Sequence, residues 1–81
     1  MRVTFMKLPG NGEKTLDYPG ETWVAVDKVL RDASRLYNVA NIATGNEITV
    51  NGETVKPSEF SSKAVYGGDS VVASGTVKGA S

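Results

Sequence analysis

The sequence predicts a small α+β domain in which one helix packs on a mixed sheet, in the order β-β-α-β-β-β. Three observations predict it. Apolar residues alternate with polar ones near both ends of the chain, which is the period of a half-buried strand. A single central stretch switches to the 3.6-residue period of an amphipathic helix. Turn chemistry punctuates the rest, most sharply at Asn51-Gly52 and Gly67-Gly68-Asp69.

Arg2 to Leu8 reads as the first strand, with Val3 and Phe5 on one face and Arg2, Thr4 and Met6 on the other. Pro9, Gly10, Asn11 and Gly12 form a turn cluster, and Glu13 to Tyr18 resumes an extended pattern with Leu16 and Tyr18 on one face. Together they predict a β-hairpin. Pro19-Gly20 supplies the next turn.

The helix is expected to start at Thr22, whose hydroxyl can cap a free backbone N–H of the first turn. Glu21 places negative charge at the positive end of the helix dipole. Trp23, Val26, Val29, Leu30, Ala33, Leu36 and Tyr37 then follow helical spacing, so Trp23 is expected to sit in the core with Val26 and Leu30. Asp27, Lys28, Arg31, Asp32 and Arg35 fall on the opposite, solvated face, with Asp27 and Arg31 in the favourable acid-first order. Asn38 marks the helix end, and Ile42 is expected to anchor the following connection inward.

Glu47 to Val50 and Glu53 to Val55 predict a second hairpin across Asn51-Gly52, because both central positions of a type I′ turn need positive φ. Pro57 blocks continuation, and Ser58 is expected to cap one helical turn that carries Phe60 inward. After the Gly67-Gly68-Asp69 turn, Ser70 to Lys78 reads as the last strand. Val71, Ala73 and Val77 share one face, Val72 lies on the other, and Gly75 is expected to mark a bulge. Residues 1–78 therefore form one domain and 79–81 a free tail.

Composition narrows the function. The chain has 81 residues, no cysteine and no histidine, so thiolate chemistry, disulfides, the commonest metal ligand and the commonest general base are absent. Nine basic and nine acidic residues cancel, and the basic ones are scattered, which disfavours a phosphate-binding stripe. No apolar run approaches the roughly 18 residues of a membrane span, and the N-terminus lacks the apolar core of a signal peptide. A cytoplasmic, non-enzymatic protein that binds other proteins is the expectation, with no cofactor and no metal. Glu53 and Glu59 flank a strand and a turn, and nothing in the sequence brings them together as an acid–base pair.

Three stretches carry a resemblance: Gly20-Glu21-Thr22 at the helix entry, Ile48-Thr49-Val50-Asn51-Gly52-Glu53-Thr54-Val55 at the second hairpin, and Gly68-Asp69-Ser70-Val71 before the last strand. In their order and spacing the chain resembles the prokaryotic sulfur carriers of the ThiS/MoaD type, within the ubiquitin-like β-grasp superfamily. The resemblance spans almost the whole chain and implies a β-grasp fold. It also implies a partner, an adenylating enzyme that activates a terminal glycine carboxylate for conversion to a thiocarboxylate. Those carriers end in Gly-Gly, because a side chain would clash in the narrow channel that the tail threads. Here the chain reads Lys78-Gly79-Ala80-Ser81, so Gly79 is the candidate carrier terminus only after removal of Ala80 and Ser81.

The resemblance also implies a docking surface on the exposed sheet face, where Thr49, Thr54, Val72 and Ser74 are the candidates to face a partner. Three functions follow. The first is a ubiquitin-like protein-interaction module. The second is a sulfur carrier or protein modifier activated at Gly79. The third is a small nucleic-acid-associated regulator, disfavoured by zero net charge.

Overall fold

The computed structural model describes residues 1–10 and 12–75. Seven strands and one helix follow in the order β1 (Arg2–Leu8), β2 (Glu13–Asp17), β3 (Trp23–Ala25), α1 (Val26–Leu36), β4 (Asn46–Val50), β5 (Glu53–Val55), a 3-10 turn (Pro57–Glu59), β6 (Ala64–Tyr66) and β7 (Ser70–Gly75). Five strands form one sheet in the order β2-β1-β7-β4-β5, and β3 pairs with β6 in a separate two-stranded ribbon. Within the main sheet β1 and β7 run parallel and every other pairing is antiparallel.

Alternation along the strands sorts the two faces of the main sheet. Val3, Phe5, Leu16, Ile48, Val50, Val55, Val71 and Ala73 point inward and are buried. The helix meets them with Val26, Val29, Leu30 and Ala33. Ile42 is also buried, as its place in the connection predicts. Ser34 explains how that connection is held. Its hydroxyl donates to the Leu30 carbonyl at 2.7 Å and accepts from the Ile42 N–H at 2.9 Å, so one buried polar group ties loop to helix. The helix ends in a Schellman motif: Asn38 takes φ 56°, and the N–H groups of Asn38 and Val39 return to the Arg35 and Ser34 carbonyls.

Tyr18 closes the opposite side. Its backbone N–H donates to Met1 O at 2.7 Å, and the N-terminal ammonium donates to Tyr18 O at 2.8 Å. Its buried hydroxyl donates to Asp32 Oδ2 at 2.8 Å, where Lys28 and Arg35 also converge. Burial, and then the Asp32 carboxylate, hold the Tyr18 phenol well above its ordinary value of 10.0. A raised folded value means that its contribution is complete below the ordinary phenol range and is lost as the pH climbs through and beyond it. Tyr18→Phe keeps the ring and is expected to cost about 1 kcal/mol in denaturant unfolding at neutral pH. The variant should also lose less stability than the wild type when the pH is raised above 10, and an equal alkaline loss would contradict this reading.

Several expectations are corrected. The helix starts at Val26, not Thr22: Trp23–Ala25 is a strand, and Ala25 is the N-cap with no side-chain cap. Trp23, Val24 and Ala25 find backbone partners in Tyr66, Val65 and Ala64, so long-range pairing overrides a pattern that fits helical spacing equally well. The strand Ala64–Tyr66 was not expected at all, because three residues carry too little periodicity to read. Lys56, not Ser58, caps the 3-10 turn, with its N–H donating to Glu59 Oε1 at 3.0 Å; Phe60 does pack against the core.

Gly75 stands in regular register opposite Asn46, with no bulge. Asn11 of the first turn, the Thr76–Lys78 end of the expected last strand and the expected tail at 79–81 lie outside the described residues.

Candidate docking face

The helix covers one face of the main sheet and leaves the other open. Register decides which side chains occupy the open face. Across the middle, Glu13 pairs with Met6, Met6 with Val72, Val72 with Thr49 and Thr49 with Thr54. The next row is Leu8, Ser74 and Glu47. Thr49, Thr54, Val72 and Ser74 therefore all lie on the open face, in neighbouring rows. Met6, Thr49, Val72 and Ser74 are half-buried by their neighbours, and Thr54 is exposed at the β5 edge. Leu8 is 41% exposed, a large apolar side chain at one end of the face. The centre is thus apolar and hydroxyl-bearing, with its charges at the margins.

Two turns frame the other end, and they are joined. Asn51 and Gly52 take φ 52° and 85°, as the type I′ geometry requires. The Asn51 amide nitrogen donates to Asp69 Oδ1 at 3.0 Å, and its Oδ1 accepts from the Ser70 N–H at 2.9 Å. Asp69 Oδ2 accepts from the Tyr66 N–H at 2.9 Å, and its carbonyl accepts from the Thr4 N–H at 3.1 Å. Asp69 thereby links β1, β6 and the β4–β5 turn. Each turn is legible in the sequence as a local feature; the bond between them is not.

Other singled-out residues fall elsewhere. Trp23 is not a core residue: it is 52% exposed and stands directly opposite Tyr66, itself 54% exposed, on the outer face of the β3–β6 ribbon. Val24 and Val65 take the buried positions instead. Lys28, Arg31 and Arg35 form the solvated helix face, tied to Asp32, Asp27 and Asp32 in turn. Glu53 and Glu59 do line one shallow depression, which the sequence gives no reason to expect. Both are engaged there: Glu53 faces the Lys63 ammonium at 3.7 Å, and Glu59 Oε1 accepts the N–H of the cap residue Lys56 at 3.0 Å. Gly79 lies outside the described residues.

A groove of about 570 Å³ runs beside the β5 edge over Ile48, Val55, Pro57 and Phe60, and its only titratable side chains are Glu47 and Lys56. Among the described residues no cluster of three acidic, histidine or cysteine side chains could hold a metal ion. Nor, among the described residues, is any helix long and apolar enough to cross a membrane.

No family model and no curated protein sequence matches the chain. A solved structure does. The thiamine biosynthesis protein ThiS from Geobacter metallireducens superposes with a TM-score of 0.61 at 23% identity, covering 95% of this chain and 96% of that one. The mixed sheet with one helix packed across it, and the superposition over nearly the full length of both chains, establish that this chain has the ThiS-like, ubiquitin-like β-grasp fold.

Proposed function

We propose that the protein is a carrier-type docking module, recognised by a protein partner through the open face of its main sheet and performing no chemistry of its own. The observation that carries the reading is the face itself. Five strands present a continuous surface with Met6, Val72 and Thr49 at its centre, and no described element covers it. Surfaces of this make-up, apolar at the centre and polar at the rim, are suited to protein association. The fold shared with ThiS supports a carrier-type role, and the absence of histidine and cysteine supports leaving the chemistry to the partner. A soluble cytoplasmic setting is part of the same reading.

Val72→Arg tests it. The side chain points away from the core, so the fold should survive, as circular dichroism and thermal unfolding will show. Affinity purification from the source cells should recover partners with the wild type and lose them with Val72→Arg. Thr49→Arg on the neighbouring strand should do the same. Undiminished recovery with both folded variants would contradict docking through this face.

The ThiS-like fold also supports a second reading, sulfur carriage at Gly79 after removal of Ala80 and Ser81. Intact mass of the native protein decides it: an end at Gly79, or one sulfur in place of one oxygen, supports activation by an adenylating enzyme. The unmodified full-length mass under thiamine- or molybdopterin-demanding conditions would rule it out. The nucleic-acid reading has no observation in its favour on this face.

A further inference from the structure

Zero net charge conceals a polarised molecule. Among the described residues, the strands carry on the open face one cation, Arg2, against three anions, Glu13, Asp17 and Glu47. Arg2 stands directly opposite Asp17, which balances one end. Glu13 and Glu47 remain at the other end, both exposed, and neither takes part in an ion pair among the described residues. Lys28, Arg31 and Arg35 sit on the helix, beyond the opposite side of the sheet. Lys7 and Lys14 belong to the same end of the sheet but alternate onto its helix side, where they stand opposite Ala73 and Phe5, and Lys56 shares the β5 edge groove with Glu47.

The two acids are placed to act together. Glu13 is on β2 and Glu47 on β4, three strand steps apart in the order β2-β1-β7-β4. At about 4.8 Å per step, and offset by two residues (about 6.8 Å) along the strands, they straddle the face at roughly 16 Å. Between them lie Met6, Leu8 and Ser74. That spacing leaves room for one apolar side chain on Met6 and Leu8, with a cation reaching each carboxylate.

We infer that the occupant of the open face is a protein surface presenting an apolar side chain flanked by lysine or arginine, and that Glu13 and Glu47 recognise those cations. This rests on the docking reading above and names the chemistry of its partner. Rim charges of this kind steer encounter and reject like-charged surfaces more than they add affinity. The same acids repel a phosphate backbone, so nucleic acid is excluded from this face.

The test uses the full chain, isotope-labelled, and two synthetic probes: the peptide Ac-Lys-Lys-Leu-Phe-Lys-Lys-NH2 and its charge-reversed counterpart Ac-Glu-Glu-Leu-Phe-Glu-Glu-NH2. At low salt the basic peptide should shift the amide resonances of Met6, Leu8, Thr49 and Val72, roughly tenfold more tightly than the acidic one. The Glu13→Gln/Glu47→Gln variant, whose exposed substitutions leave the fold intact, should erase most of that preference, as should added salt. Equal binding of both peptides on this face would overturn the charge inference while leaving the docking reading standing. Binding of the basic peptide elsewhere, or of neither peptide to this face, would overturn the inference and count against the docking reading itself.

Discussion

Phe5→Ala is expected to lower the unfolding free energy by about 3–5 kcal/mol, the range for removing a buried aromatic from a packed core. Phe5 has no solvent exposure and sits on β1, the strand that pairs with both β2 and β7. Its ring meets that of Tyr37 at 5.8 Å between centroids, tilted by 52°. The Tyr37 hydroxyl donates between the Phe5 and Gly12 carbonyls, at 3.2 and 2.9 Å. The cavity would therefore open under the helix end and beside the first hairpin at once. For a domain whose total stability is of order 5–15 kcal/mol, this is a large fraction. Urea unfolding followed by circular dichroism measures it; a loss below 1 kcal/mol would contradict the placement of Phe5 at the centre of the core.

The second large effect concerns the joined turns. Asn51→Ala removes the side-chain bonds to Asp69 and Ser70 and leaves at φ 52° a residue without the short polar side chain that lets asparagine tolerate the left-handed region. Lost bonds at an exposed site cost about 1 kcal/mol together, and the left-handed strain that alanine bears and asparagine largely escapes another 1–2 kcal/mol. The expected total is about 2–3 kcal/mol. Asn51→Gly keeps the backbone conformation, so it should cost only the first part, and the difference separates side chain from backbone. Asp69→Asn is also informative. Its amide nitrogen must face either the Asn51 amide or the Tyr66 N–H, both donors, so one contact becomes repulsive. A double-mutant cycle between Asn51→Gly and Asp69→Asn should show a clear coupling energy. Strict additivity would mean that the two turns are stable independently.

These cases show what the sequence made legible and why the rest was not. The first strand, the main part of the helix and the Asn51-Gly52 hairpin rest on local periodicity or local turn chemistry, and local signals survive in a single sequence. Trp23 shows the limit. Its spacing to Val26 and Leu30 fits a helix face, but Trp23–Ala25 gains its backbone partners from residues some forty positions later. No local pattern records that pairing. The same applies to the candidate site. Alternation predicts that Thr49, Thr54, Val72 and Ser74 face outward, given the right register. That Glu13, Met6, Leu8 and Glu47 join them depends on the strand order β2-β1-β7-β4, which the hairpins alone do not determine. Net charge was equally uninformative, since zero overall is compatible with an acidic sheet face.

The open face is the centre of this account, and site-specific photo-crosslinking tests it most directly. A photoreactive amino acid is placed at Thr49 on the open sheet face and, in a second variant, at Lys28 on the helix, and each protein is irradiated in the source cells. Partner adducts are expected from the sheet position and absent or much weaker from the helix position. Adducts from Lys28 with none from Thr49 would contradict docking through the open face.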